Sequence, residues 1–148
     1  MVSNVDSVFV ETLSDQQLER YARHIVLKEI GGAGQARLAR AHVLLVGAGG
    51  IGCPAIQYLA AAGVGRLTVI DDDQVSLSNL QRQVLYGVDD IGRDKVDVAR
   101  EAACRINPEI TFATVPQRLT ADFNVSLLDG IDVVLDGCDN FMTRLIVN

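Results

Sequence analysis

A cluster of glycines directly after a short apolar run constrains the fold of this chain more than any other feature. Residues 43–46 read Val-Leu-Leu-Val and predict a buried strand. The glycines follow this run in a GxGxxG pattern, at Gly47, Gly49, Gly50 and Gly52. Residues 51–62 then have a helical pattern that ends at Gly63. A strand, a glycine turn and a helix in this order predict a nucleotide-binding βαβ unit, because phosphates can approach the backbone N–H groups at the start of such a helix.

The rest of the chain alternates helical patterns with short apolar runs. A capping-box pair, Ser14 and Gln17, begins the first predicted helix after a loose tail at residues 1–13. We predict the remaining elements as helices at 15–27, 35–40, 94–107, 122–128 and 141–148, and strands at 67–70, 110–115 and 133–135. This alternation predicts an α/β fold with a Rossmann-like, doubly wound and mainly parallel sheet. We expect an N-terminal tail and helical segment at residues 1–40 and the nucleotide-binding domain at residues 41–148.

Composition supports this fold class and excludes others. The 148 residues are 49% hydrophobic but only 5% aromatic, so the core must be built from aliphatic side chains, as in a buried parallel sheet. Such a composition excludes a disordered chain. The 13 basic and 19 acidic residues give a net charge of −6, which argues against nonspecific binding to nucleic acid.

Membrane insertion and metal-binding cysteine pairs are also disfavoured. Residues 41–65 carry no charge and are long enough to span a bilayer, but the glycines and Pro54 in the middle favour a strand, a turn and a helix. The first 13 residues lack the basic start of a signal peptide, so we expect a cytoplasmic protein. The three cysteines are far apart and predict neither a zinc ribbon nor a disulfide scaffold; we expect them to be small buried hydrophobes, at Cys53, Cys104 and Cys138.

Polar and charged residues follow the predicted strands. Asp71 ends the second strand about 20 residues after the glycines, where an acid can bind a ribose hydroxyl. NAD is then the first candidate ligand, but the loop at 79–83 (Asn-Leu-Gln-Arg-Gln) and Lys95 add amides and cations that suit a polyphosphate. Asp136 and Asp139 follow the fourth strand, where a carboxylate can hold Mg²⁺ between phosphates.

Each of these residues also has an ordinary structural interpretation. Arg20 and Arg23, which share a helical face, can be solvated charges, and Lys95 can form surface ion pairs with Asp94 and Asp97. The Asp139-Asn140 pair can be a helix N-cap. Two histidines lack suitably spaced partners and are expected to be structural, His24 and His42.

Six segments together resemble the ThiF/MoeB/HesA family, the bacterial relatives of ubiquitin-activating enzymes, with a pattern closest to MoeB. They are the segments at 20–27, 47–52, 71–73, 78–83, 91–95 and 136–141. The resemblance covers the chain from about Leu18 onward. It implies ATP-dependent adenylation of the C-terminal glycine of a small ubiquitin-like sulfur carrier, MoaD-like or ThiS-like, in molybdopterin or thiamine biosynthesis. The attacking carboxylate would displace pyrophosphate from the α-phosphorus of ATP.

The same resemblance assigns roles to individual residues. The implied catalytic residues are Arg23, Arg82, Lys95 and Asp139, with Asp139 as the Mg²⁺ ligand. The implied nucleotide-binding residues are Gly47, Gly49, Gly50, Gly52, Asp71, Asp73, Ser78, Asn79, Leu80, Gln81, Arg82, Gln83, Lys95, Asp139 and Asn140. In the family, the arginine at the position of Arg23 acts across a homodimer interface on the partner's ATP.

Some features of the family are missing from these 148 residues. Cys138 occupies a position that usually carries a small residue such as Thr. Members normally continue further, with a surface for the carrier tail and often zinc-binding CxxC pairs. We therefore expect the front part of a longer enzyme, inactive by itself, with any structural zinc site beyond residue 148. Two alternatives remain open, an NAD-dependent dehydrogenase domain and a non-catalytic nucleotide-binding partner subunit.

Overall fold

Four parallel strands form the centre of the fold in the order β3-β2-β1-β4. The computed structural model describes residues 13–122 and 125–148. Its strands are β1 (His42–Val46), β2 (Arg66–Ile70), β3 (Thr111–Val115) and β4 (Val133–Asp136). Val46 pairs in register with Ile70 on one side and with Asp136 on the other, so the carboxyl ends of the strands meet at one edge. The strand order reverses between β1 and β4, which is where doubly wound sheets bind ligands. The predicted fold class is confirmed.

Six α-helices surround the sheet in the described ranges. They are α1 (Asp15–Arg20), α2 (Ala22–Ile25), α3 (Gly31–Arg40), α4 (Gly52–Ala62), α5 (Lys95–Ile106) and α6 (Phe141–Val147). Leu45 in β1 and Ile56 in α4 are fully buried in the same hydrophobic cluster. Burial of each such side chain contributes roughly 1.5–3 kcal/mol. Aliphatic side chains thus form the core, as the composition predicts.

The predicted single helix at 15–27 is wrong beyond its first turns. The capping box of Ser14 and Gln17 is present and begins α1. Tyr21 then leaves the helical conformation, with φ −102° and ψ 11°, and separates α1 from α2. Its ring is buried against Gly63, and its hydroxyl accepts a hydrogen bond from Asn107 at 2.8 Å. Tertiary packing of one residue therefore interrupts a continuous helical pattern.

The next helix begins earlier than predicted. The sequence predicts a helix at 35–40, because glycines precede it, whereas α3 already starts at Gly31. The Gly34 N–H donates to the Ile30 carbonyl oxygen at 2.8 Å, and a Cβ atom on Gly34 would lie only 3.0 Å from the Ile30 side chain. The glycines are therefore part of the first helical turn, where close packing favours them, instead of a loop before it.

The remaining differences are small. Residues 125–128, within the predicted helix at 122–128, form a 3₁₀ turn, and residues 123–124 lie outside the described ranges, as does the predicted tail apart from Leu13. Residues 41–65 divide into β1, the glycine turn and α4, as expected. Within residues 13–122 and 125–148, no helix is both long and apolar enough to cross a bilayer.

Candidate functional site

The carboxyl ends of the strands surround a cavity of about 380 Å³. The glycine turn between β1 and α4 forms one wall. Gly47 has a φ of 95°, a conformation that glycine adopts without strain. A Cβ atom on Gly52 would overlap the carbonyl oxygen of Gly47. These two glycines are therefore required by the shape of the turn.

The other two glycines lie opposite the loop that follows β2. A Cβ atom on Gly49 would lie 3.7 Å from Gln83 Nε2, and one on Gly50 would lie 3.8 Å from the Arg82 side chain. No clash forbids a side chain at either position, so the turn itself does not require these glycines. Their absent side chains leave the backbone accessible from the cavity, as phosphate binding needs.

Asp71 fixes the position of the turn. Its Oδ2 accepts the Ala48 N–H at 2.7 Å, and its Oδ1 accepts the Asp73 N–H at 2.8 Å. Burial raises the pKa of the Asp71 carboxyl above its ordinary value. Both oxygens are thus engaged by backbone groups, and the implied ribose contact would have to use their remaining lone pairs.

Lys95 is buried and points to the cavity. Its side chain is only 5% exposed, and Nζ lies 2.8 Å from Asp73 Oδ2. The alternative of surface ion pairs with Asp94 and Asp97 is wrong, because the Lys95 side chain is buried and pairs with Asp73. A buried ammonium group at this position is one of the cations that the resemblance implies.

The loop at 79–83 contributes three side chains to the cavity lining, those of Asn79, Arg82 and Gln83. Arg82 is exposed and donates to the Ser78 carbonyl oxygen at 3.2 Å. Gln83 is only 3% exposed, and within the described residues its Oε1 has no hydrogen-bond partner. A buried amide oxygen without a partner is expected to accept a hydrogen bond from a bound molecule or from water.

Asp139 and Asn140 line the cavity with different local roles. The Asn140 side chain accepts the Met142 N–H at 2.9 Å and caps α6. The interpretation of the Asp139-Asn140 pair as a helix N-cap is therefore confirmed, with Asn140 and not Asp139 as the capping residue. Asp139 is exposed at the cavity and stays the predicted Mg²⁺ ligand.

The structure brings most of the implied residues together. Those lining the cavity are Gly47, Gly49, Gly50, Asp71, Asp73, Asn79, Arg82, Gln83, Lys95, Asp139 and Asn140. Five others do not line it: Arg23, Gly52, Ser78, Leu80 and Gln81. Gly52 is still part of the glycine turn, and the Ser78 carbonyl oxygen accepts the hydrogen bond from Arg82.

The two arginines of the N-terminal segment have different environments. Arg20 is exposed, as the solvated-charge interpretation expects, and it donates a hydrogen bond to the Ile106 carbonyl oxygen at 3.0 Å, at the C-terminal end of α5. Arg23 is exposed and does not line the cavity of its own chain. The break at Tyr21 removes the continuous helical face that the two residues were expected to share.

The sequence interpretation missed two arginines in the cavity wall. Arg118 lies 3.3 Å from Asp72, and Arg144 donates to the Cys138 carbonyl oxygen at 3.2 Å. Arg118 comes three residues after β3, so the rule that ligands bind beyond strand carboxyl ends would have found it. Arg144 lies one turn into α6 and has no comparable signal in the sequence.

The three consecutive aspartates, residues 71–73, have carboxylate oxygens within 4.8 Å of one another. Each is already engaged: Asp71 by backbone N–H groups, Asp72 by Arg118 and Asp73 by Lys95. Their grouping is therefore explained by pairing within the protein.

The histidines are structural, as expected. His24 is hydrogen-bonded to Gln35 at 2.9 Å, and His42 contacts Thr68 and the Gly130 carbonyl oxygen at 2.8 and 3.1 Å. Among the cysteines, the prediction of a buried hydrophobe is confirmed only for Cys53. Two are half-buried, Cys104 and Cys138.

Comparisons with known proteins agree with this architecture. The chain is 52% identical over 132 residues to the molybdopterin-synthase adenylyltransferase of Salmonella typhimurium, covering 89% of this chain and 53% of that protein. It is 47% identical over 137 residues to the SAMP-activating enzyme E1 of Haloferax volcanii, covering 93% and 51%. The crystal structure of E. coli tRNA N6-threonylcarbamoyladenosine dehydratase, TcdA, in complex with ATP superposes with a TM-score of 0.84 at 31% identity, covering 92% and 56%.

The chain spans about half the length of these three proteins. The profile of the ThiF family matches residues 21–148, which include the whole sheet and every strand end that lines the cavity. From this match and the identities above, the chain belongs to the ThiF family.

Proposed function

We propose that this chain binds ATP and Mg²⁺ in the cavity and forms the adenylating part of an enzyme that activates a ubiquitin-like sulfur carrier. The observation that carries the proposal is the arrangement of Arg82 and Lys95 in the same cavity as the glycine turn. A helix N-terminus and two fixed cations suit a triphosphate, whose charge exceeds that of the two phosphates of NAD.

The cavity also has donors and acceptors for the rest of a nucleotide. Gln83 Oε1, which has no partner among the described residues, is free to accept a hydrogen bond from a ligand. The ribose hydroxyls and the adenine amino group are suitable donors. Asp71 retains lone pairs beyond those that accept Ala48 and Asp73. Arg118 and Arg144 add positive charge to a wall that also carries several aspartates. These residues fit ATP in both charge and hydrogen bonding.

The chemistry of the proposed reaction needs no nucleophile from the protein. An oxygen of the carrier's terminal carboxylate forms a bond to the α-phosphorus, and the bond to pyrophosphate breaks. Negative charge grows on the phosphate oxygens, and Arg82 and Lys95 stabilise it. Asp139 is the residue that we expect to hold Mg²⁺, which would neutralise phosphate charge when bound.

The named activities of relatives support the class of substrate. The Salmonella protein is a molybdopterin-synthase adenylyltransferase, and the Haloferax protein is a SAMP-activating enzyme. We propose that the whole protein acts on a carrier of this type, MoaD-like or ThiS-like. We also propose that it is a homodimer, because Arg23, to which the family resemblance gives a role at the partner's ATP, does not line the cavity of its own chain.

Calorimetric titration of the full-length protein tests the ligand. We expect binding of ATP with Mg²⁺ and no comparable heat with NAD. Arg82→Ala should weaken ATP binding about tenfold, the effect of one charge-assisted hydrogen bond. Arg93→Ala is the matched control, because Arg93 is exposed and pairs with Asp90 and Glu101 away from the cavity. Tight binding of NAD without heat from ATP would overturn the proposal.

A further inference from the structure

Ala48, in the middle of the glycine turn, is hydrogen-bonded by side chains through both its N–H and its carbonyl oxygen. Its N–H donates to Asp71, and its carbonyl oxygen accepts the Tyr86 hydroxyl at 2.7 Å. The Cys53 thiol donates to the same carbonyl oxygen at 3.3 Å. Ala48 and Cys53 are fully buried, and Tyr86 is 6% exposed. The position of this peptide therefore depends on side chains from other parts of the chain.

Tyr86 belongs to the segment that forms the opposite wall of the cavity. The Tyr86 N–H donates to the Gln83 carbonyl oxygen at 3.2 Å, which ties the tyrosine to the end of the loop. Gln83 lies opposite Gly49, and Arg82 lies opposite Gly50. Residues 82–86 thus face three consecutive residues of the turn, Ala48, Gly49 and Gly50. Among these contacts, the hydrogen bond is the one from the Tyr86 hydroxyl to the Ala48 carbonyl oxygen.

The hydroxyl can serve as a constant donor. Burial of Tyr86 raises the pKa of its hydroxyl, so the proton stays on the oxygen throughout the neutral range. Loss of this donor would leave the Ala48 carbonyl oxygen with only the longer contact from the Cys53 thiol, a weak donor. A carbonyl in a buried position is costly to leave without a partner.

We propose that Tyr86 is a positioning residue that holds the glycine turn, through the Ala48 carbonyl, in the conformation that receives the phosphates of a nucleotide. That the ligand is a nucleotide rests on the proposed function, whereas the contact between Tyr86 and the glycine turn does not. Tyr86 does not line the cavity, so it acts on a ligand only through the turn.

Tyr86→Phe in the full-length protein removes the hydroxyl and keeps the ring. Tyr21→Phe is a matched control, because Tyr21 is 5% exposed and its hydroxyl also makes one short hydrogen bond, with Asn107 at 2.8 Å. That bond lies outside the cavity lining. Each variant therefore loses one buried hydrogen bond, but only the bond lost in Tyr86→Phe is made to the turn.

Two measurements test the proposal. Hydrogen–deuterium exchange without nucleotide should be faster over residues 47–50 in Tyr86→Phe and unchanged there in Tyr21→Phe. Titration with ATP and Mg²⁺ should show an affinity about 3- to 10-fold weaker for Tyr86→Phe, the effect of one lost hydrogen bond, and parental affinity for Tyr21→Phe. Equal exchange over residues 47–50 in the parent and Tyr86→Phe would overturn the proposal, as would equal effects of the two variants.

Failure of the proposed function would be recognised separately. A parent protein that binds no ATP would overturn the assignment of the ligand. The exchange comparison uses no nucleotide and would still decide whether Tyr86 holds the turn.

Discussion

Asp71 and Asp136 lie at the same edge of the sheet, yet their carboxyl groups have opposite environments. Burial raises the pKa of Asp71 despite its two backbone N–H partners. A hydrogen bond from the Cys138 side chain lowers the pKa of Asp136, and Arg144 acts in the same direction. The difference arises because burial outweighs the hydrogen bonds to Asp71, whereas the hydrogen bonds from Cys138 outweigh burial at Asp136.

These two carboxyl groups should titrate on opposite sides of 3.8, the ordinary value for aspartate. We expect the midpoint of Asp71 above 3.8 and that of Asp136 below it, as measured by carbon-detected NMR of the side-chain carboxyls. The reverse order would contradict the structure.

The same pKa shifts determine the sign of each contribution to stability. As the pH falls through the raised pKa of Asp71, the carboxyl takes up a proton and the cost of burying its charge disappears. The stabilising contribution of Asp136 is present above pH 3.8 and is lost as the pH falls through its lowered pKa. Acid denaturation of a variant with Asp136→Asn should therefore be less steep below pH 3.8 than that of the parent.

Substitutions of the neighbouring residues Asp139 and Asn140 should have different effects, one on activity and the other on stability. Asp139→Ala should abolish carrier-dependent pyrophosphate exchange with little change in thermal stability, because Asp139 does not cap α6. Asn140→Ala should cost about 1 kcal/mol of stability, because it removes the cap. Both effects are measured on the full-length protein by exchange assay and thermal unfolding. Parental exchange activity in Asp139→Ala would contradict the proposed Mg²⁺ ligand.

At the scale of elements, the sequence pattern predicts the central strands and the glycine turn well and the N-terminal helices poorly. The strands are continuous apolar runs, and their burial in a parallel sheet leaves few alternatives. The end of α1 depends instead on Tyr21, whose ring packs against Gly63 about forty residues away in the sequence. Nothing local at Tyr21 predicts that contact, and for this reason the helix boundary was wrong.

The glycines of the turn should differ in how far their replacement by alanine lowers the stability of the fold. Gly52→Ala should destabilise the fold by about 1–3 kcal/mol, because its Cβ would overlap the Gly47 carbonyl oxygen and backbone atoms must move. Gly50→Ala is the matched control: its Cβ has no atom closer than 3.8 Å, so thermal stability should stay near that of the parent while ATP affinity falls. Chemical denaturation and calorimetric titration distinguish the two. Equal loss of stability in both variants would contradict the geometry of the turn.

For the whole molecule, most of the site follows from one rule, that the carboxyl ends of parallel strands meet at one edge. This rule, applied to β1, β2 and β4, identifies the glycines, the aspartates after β2 and Asp139. Applied to β3, the same rule identifies Arg118, which follows that strand by three residues. The partners of Lys95 and Asp71 were not predictable, because each depends on side-chain directions that the pattern of apolar residues does not contain.

Arg23 is exposed and does not line the cavity of its own chain, so its role is tested in the assembled protein. If it acts on the partner's ATP, inactive full-length Arg23→Ala and Asp139→Ala homodimers should complement each other after subunit exchange. Random pairing gives heterodimers with one intact site, and pyrophosphate exchange should recover to about a quarter of parental activity. A mixture of Lys95→Ala and Asp139→Ala is the control and should stay inactive, because both residues line the same chain's cavity. An inactive first mixture, with subunit exchange verified by mass spectrometry, would show that Arg23 does not act in trans.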